Sequence, residues 1–224
     1  MPRAPEPAPL GLLGGTFDPI HLGHLRLAEE AREALGLAGV RLIPAGQPPH
    51  RDTPSSASEH RLAMSRLAAA GNPMFEVDDG EVQATVRSYT VLTLERIRAE
   101  LGPRQPLVLI LGADAFEGLP SWHRWHELFG LAHIAVANRP GYAPHGRRWP
   151  GTLSAELDAA CRGRITDDIT TLAAAPAGRV VPFDMTPLAI SASLIRDLLA
   201  GGHSARYLLP DPVLDYIDKH SLYR

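Results

Sequence analysis

Apolar residues along this chain fall into two recurring patterns. Short apolar runs read as strands at Leu10 to Leu13, Val40 to Ile43, Met74 to Val77, Leu107 to Leu111, Ala132 to Ala137 and Arg179 to Phe183. Longer stretches place apolar residues three or four apart, the helical period. That period predicts helices over Leu22–Leu35, with Leu25, Ala28, Ala31 and Leu35 on the core face, and over Glu59–Ala70 and Val91 to Leu101. Further helices are predicted at Trp122–Phe129, Leu153–Cys161, Ser191–Ala200 and about Pro212–His220. Gly36, Gly71-Asn72-Pro73 and Gly201-Gly202 act as stops, and Ser88-Tyr89-Thr90 offers a polar cap. The unbroken Leu-Val-Leu-Ile-Leu run at 107–111 is the pattern of a central parallel strand covered on both faces. Strands alternating with helices predict an α/β fold, a doubly wound parallel sheet with a small C-terminal helical part. Ligands of such sheets sit beyond the carboxyl ends of the strands. Residues 1–9 read as a disordered leader and 10–224 as a single domain, with at most one helix in the Pro-, Gly- and Arg-rich segment 139–176.

Composition narrows the chemistry. The 224 residues carry a formal charge of −3, so no basic field gathers nucleic acid. No apolar run approaches the roughly 20 residues that span a bilayer, so no membrane partner is expected. Cys161 is the single cysteine, which excludes an internal disulfide and a multi-cysteine zinc site and fits a reducing cytoplasm. Lys219 is the only lysine among 22 cationic residues. A Walker-type loop requires Gly-Lys-Ser/Thr and cannot exist here, so any phosphate clamp must use arginine, histidine or backbone amides. No Gly-x-Gly-x-x-Gly fingerprint supports a dinucleotide oxidoreductase.

The chemistry-bearing stretch is Gly14-Gly15-Thr16-Phe17-Asp18-Pro19-Ile20-His21-Leu22-Gly23-His24. It runs from a strand through a glycine-rich turn to a helix start, where unpaired N–H groups and the helix dipole favour an anion. His21 and His24, three residues apart, share one face of the first turn. Such a pair also suits a metal or plain surface, and His123 and His126 repeat the spacing with no glycine turn before them, so spacing alone does not decide. Near the C-terminus, Ile190-Ser191-Ala192-Ser193-Leu194-Ile195-Arg196 opens another helix. Ser191 there reads either as an ordinary N-cap or, with Ser193 and Arg196, as part of a second anion site.

The eleven-residue string resembles the signature of the His-x-Gly-His nucleotidylyltransferase superfamily, and Ile190 to Arg196 resembles its second motif, which holds the ATP triphosphate. Pro48-Pro49-His50-Arg51, Ser88-Tyr89-Thr90, Gly112-Ala113-Asp114, Leu119-Pro120-x-Trp122, Asn138-Arg139-Pro140-Gly141 and Tyr207-Leu208-Leu209-Pro210 are similar to strings of the bacterial nicotinate-nucleotide adenylyltransferase family. The resemblance covers roughly residues 10–222, with 142–178 unmatched. It implies a Rossmann-like fold and transfer of AMP from ATP to nicotinate mononucleotide, giving deamido-NAD and pyrophosphate, with Mg2+ held mainly by the ATP phosphates. It implies catalytic roles for His21, His24 and Arg196, and phosphate or ATP contacts for Gly14, Gly15, Thr16, Phe17, Arg51, Asp114, Ile190, Ser191 and Ser193. Thr90, Trp122 and the backbone N–H of His123 would receive the nicotinate nucleotide, with Trp125 left to core packing. A 5′-phosphate nucleophile is already anionic, so no general base or protein nucleophile is required, and an imidazole near its ordinary pKa of about 6.5 is readily protonated between phosphates.

Other readings stay open on the sequence. An amide-specific or phosphopantetheine-specific relative would share both anchors, a non-catalytic nucleotide-binding module would keep the fold, and a zinc hydrolase through His21 and His24 lacks a third ligand nearby. A homo-oligomer is compatible with the chain.

Overall fold

The computed structural model describes residues 7–47, 54–138 and 153–224. Six strands form one sheet in the order β3-β2-β1-β4-β5-β6: β1 (Leu10–Gly15), β2 (Gly39–Pro44), β3 (Phe75–Val77), β4 (Leu107–Gly112), β5 (His133–Asn138) and β6 (Val180–Asp184). Every pairing between these strands is parallel. The order reverses between β1 and β4, so a crevice opens past their carboxyl ends, where Gly14-Gly15 and Gly112 sit.

The helices are α1 (Leu22–Leu35), α2 (Ser58–Ala69), α3 (Gly80–Gln83), α4 (Thr90–Leu101), α5 (Ala113–Glu117), α6 (Leu128–Leu131), α7 (Ala155–Cys161), α8 (Thr171–Ala174), α9 (Ala192–Ala200) and α10 (Asp211–Lys219). They cover both faces of the sheet, and the two-residue period of the strands divides the core accordingly. Val108 and Ile110 of β4 pack with Ala28, Ala31, Ile195 and Ile217 from α1, α9 and α10. Leu107, Leu109 and Leu111 of the same strand pack with Val91, Leu94, Leu128 and Leu157 from α4, α6 and α7. Gly36, at φ 62°, ends α1 in the left-handed conformation that glycine adopts without penalty.

Several local expectations are corrected. No side chain of Ser88-Tyr89-Thr90 caps α4: Tyr89 occupies the N-cap without a side-chain capping bond to the helix, and Ser88 Oγ instead accepts from the backbone N–H groups of Gly46 and Gln47 at 2.9 and 3.1 Å. At Gly112-Ala113-Asp114 the chain passes from β4 directly into α5. Trp122 to Phe129 is not one helix: Trp122 follows a 3-10 turn over Leu119–Ser121, and a second such turn at Trp125–Glu127 leads into α6. Its apolar spacing is met by Trp125, Leu128 and Phe129 pointing inward without a continuous α-helix. The short helices α3 and α8 are additional; four residues are too few to show a period, so periodicity could not find them. At the end of the presumed leader, the carbonyl of Pro9 accepts from Ala38 N–H at 2.8 Å, and that of Ala8 from Gln105 Nε2 at 2.9 Å.

Candidate active site

The two helix beginnings singled out by the sequence face one cavity of about 1090 Å3. Gly14, Gly15, Thr16 and Phe17 line it from the end of β1, and His21 and His24 from the start of α1. Ile190, Ser191, Ser193 and Arg196 line it from the start of α9, and Asp114 from α5. Asn138, from one of the family-like strings, also reaches it, as does Glu117, which the sequence did not single out.

Each wall has a local cause. Phe17 is buried with φ 51°, and its ring turns back over Gly15, where an added Cβ would lie 2.6 Å from a ring carbon. Glycine is therefore required at position 15 by contact. The Phe17 ring meets His24 edge-on, with centroids 5.0 Å apart. His21 is the N-cap of α1, and its ring stacks on His24 at 3.7 Å between centroids. His24 Nδ1 accepts from the His21 backbone N–H at 3.3 Å. The buried Nδ1 of His21 lies in a capping-box arrangement opposite the His24 backbone N–H, yet it makes no hydrogen bond among the described residues. Gly23 keeps this turn narrow, since a Cβ there would approach that same Nδ1 to 3.0 Å.

Burial pushes the His21 imidazole down from its ordinary value to about 4. The ring is therefore neutral at rest, which corrects the expectation of an imidazole near 6.5; 5% exposure removes the water that would solvate its cation.

Arg196 joins the two anchors. Its Nη1 donates to the backbone carbonyl of Asp18 at 2.7 Å and its Nη2 to Ser193 Oγ at 3.2 Å. Ser191 Oγ accepts from Leu194 N–H at 3.1 Å, so it caps α9 while also lining the cavity. The N-cap reading of that serine holds.

Two participants were not assigned a role from sequence. Asp18, buried inside the signature string, accepts from Ser55 N–H at 2.7 Å, Ser56 Oγ at 2.6 Å and Tyr223 Oη at 2.7 Å. Arg61 of α2 is 1% exposed, and its acceptors among the described residues are all backbone carbonyls. A signal existed: Arg61, Ser65 and Ala69 occupy the i, i+4, i+8 row where the helical period demands apolar residues.

Thr90, Trp122 and His123, which the resemblance gave to the nicotinate nucleotide, lie apart from the described cavity lining. The exposed His123 packs its ring on Tyr89, centroids 4.5 Å apart, which brings it beside Thr90 at the start of α4. Trp122 is half-buried against the α4 face of the core, whereas Trp125 is buried and edge-on to Phe129. Arg51, with Pro48 to His50 and residues 139–152, lies outside the described residues.

A cytidylyltransferase-like family model matches residues 12–198, which takes in both anchors. A protein of Dechloromonas aromatica, named probable nicotinate-nucleotide adenylyltransferase, is 59% identical over 96% of this chain and 98% of its own length. The chain belongs to the nicotinate-nucleotide adenylyltransferase family. A member from Aeromonas salmonicida with the same name is 51% identical over 97% of the chain and 98% of its own length. The fold matches that of the solved nicotinic acid mononucleotide adenylyltransferase of Plasmodium falciparum, complexed with NaAD, at a TM-score of 0.69 and 15% identity. That match covers 96% of this chain and 97% of the other. Membership makes the chain a nucleotidyltransferase of NAD biosynthesis with a Rossmann-like fold. No helix among the described residues is long and apolar enough to cross a membrane.

Proposed function

We propose that this cavity transfers the adenylyl group of ATP to nicotinate mononucleotide, releasing pyrophosphate and forming deamido-NAD. A 5′-phosphate oxygen of the mononucleotide attacks the α-phosphorus as the bond to the β-phosphate oxygen breaks. Both partners arrive charged, so the protein's task is alignment and neutralisation of negative charge, with no proton to abstract. The observation that carries this reading is the Arg196 contact with the Asp18 carbonyl at 2.7 Å, which closes the α1 and α9 beginnings around one space.

In this reading His21 and His24 serve the triphosphate and the transition state. Thr16 and the Gly15 and Phe17 amides hold the reacting phosphates beside Gly14. Ile190 sets the entry to α9, whose Ser191, Ser193 and Arg196 hold the β- and γ-phosphates; Arg51 joins them. Asp114 takes a ribose hydroxyl of the adenosine. Trp122 stacks on the pyridine ring, and Thr90 with the His123 N–H receives its carboxylate. A neutral His21 carries one N–H donor, and an adjacent triphosphate raises its proton affinity by direct charge attraction.

Mg2+ fits as a companion of ATP. No cluster of three His, Cys, Asp or Glu side chains among the described residues forms a cage. This ion ordinarily keeps several waters and binds through substrate phosphates, where it offsets their charge. Pyrophosphate release from ATP, measured with nicotinate mononucleotide and separately with its amide, tests the proposal. Release at equal rates with either acceptor would reject the assignment of the carboxylate subsite, and no release with either would reject the activity.

A further inference from the structure

We propose that Arg61 is a positioning residue for adenylyl transfer, acting from behind the glycine-rich turn on the Phe17 amide and on the backbone either side of residues 48–53. The role assigned to that amide rests on the function proposed above.

Arg61 is one of the largest fully buried side chains, and no carboxylate among the described residues hydrogen-bonds its guanidinium. Nη1 donates to the carbonyl of Thr16 at 2.7 Å, Nη2 to that of Gly46 at 2.9 Å and Nε to that of Ser56 at 3.3 Å. The Asp18 carboxylate acts on the cation only through space, because its oxygens are taken by Ser55, Ser56 and Tyr223. A buried cation that spends its donors on three backbone carbonyls gains little that an apolar side chain would not supply more cheaply. What it gains is geometry. A guanidinium is a rigid planar fork, so three acceptors bound to it hold fixed directions relative to one another.

Those three carbonyls belong to three segments, two of which reach the cavity, through Thr16 and through Pro54 and Ser55. Gly46 precedes residues 48–53 and Ser56 follows them, so both stems of that segment are clasped by one side chain. Thr16 carries the more direct consequence. In a planar trans peptide the C=O and N–H point in opposite directions. Arg61 takes the Thr16 carbonyl on the side away from the cavity, where it is itself 1% exposed and forms no part of the lining. The N–H of the same peptide, that of Phe17, is thereby turned toward the cavity that Thr16 and Phe17 line. Phe17 sits at φ 51°, a conformation that a phenylalanine leaves readily unless its neighbours hold it. Arg61 is one of those neighbours.

The experiment compares Arg61→Lys and Arg61→Gln with Arg41→Lys, a second buried arginine whose partners are Glu76, Asp78 and Glu100 and which touches no wall of the cavity. All three should lower the melting temperature. Only the Arg61 variants should lower kcat, by roughly 10- to 100-fold, with KM for nicotinate mononucleotide moving no more than about 3-fold. A folded Arg61→Lys with wild-type kcat overturns the proposal. So does an Arg41→Lys that loses as much kcat as Arg61→Lys, since the effect would then be general loosening. Should neither Arg61 variant fold, the wild-type protein decides by NMR: non-reacting α,β-methylene-ATP should shift the Phe17 amide resonance, and an unmoved Phe17 amide overturns the proposal. Pyrophosphate release by the wild-type protein is measured alongside, so loss of the parent function is distinguished from loss of this inference.

Discussion

His21 makes the acid stability of this protein calculable. Its imidazole is buried, lies against His24 and is held at about 4 against an ordinary 6.5. Above pH 6.5 the ring is neutral in the folded and unfolded chains alike and adds no pH dependence. Below 6.5 the unfolded chain binds a proton that the folded one refuses until about pH 4, so the fold weakens as pH falls through that window. The interval from 6.5 to about 4, at about 1.36 kcal/mol per pH unit, amounts to about 3 kcal/mol. The perturbation is His21→Asn, which removes the titrating ring and leaves an acceptor at the N-cap. Urea unfolding followed by far-UV circular dichroism from pH 7 to pH 4 gives both stability curves. The wild type should lose about 3 kcal/mol more than the variant over that range. His133, also buried and also held below its ordinary value, is common to both proteins and cancels. Parallel curves would refute the reasoning, because they would mean that His21 titrates alike in both states.

Further outcomes are expected. His24→Ala should lower kcat by roughly 10²–10³, about 3–4 kcal/mol of transition-state stabilisation, with an unchanged circular dichroism spectrum; steady-state pyrophosphate release measures it. Gly15→Ala should force the Phe17 ring away from a Cβ that would lie 2.6 Å from it, costing about 1–3 kcal/mol in urea unfolding together with activity. Tyr223→Phe removes the hydroxyl that donates to the Asp18 carboxylate at 2.7 Å, and should cost about 1.5–3 kcal/mol by the same measurement. Trp125→Ala should destabilise by about 3–5 kcal/mol, whereas Trp122→Ala should leave stability nearly intact and raise KM for nicotinate mononucleotide roughly 10-fold.

Much of the fold was written in the order of the residues. The boundaries of α1 at Leu22 and Leu35 follow from an apolar stripe and a glycine stop, and both are local properties of the chain. The central position of β4 followed from a run apolar on both faces, which only a doubly covered strand can bury. Where expectation and structure part, the cause is a contact distant in sequence. Ser88 had the chemistry of a cap and used it on Gly46 and Gln47, some forty positions earlier, because the tertiary fold brought those N–H groups within reach.

The same division holds for the cavity. Two motifs about 170 residues apart were legible because each is a contiguous string, with its turn, helix start and polar groups set by neighbours. That Arg196 touches the Asp18 carbonyl, that burial drains the charge from His21, and that Arg61 clasps three carbonyls were decided by packing. Proton affinity and the aim of a peptide depend on which atoms exclude water and accept hydrogen bonds, and such neighbours are assigned only when the sheet closes.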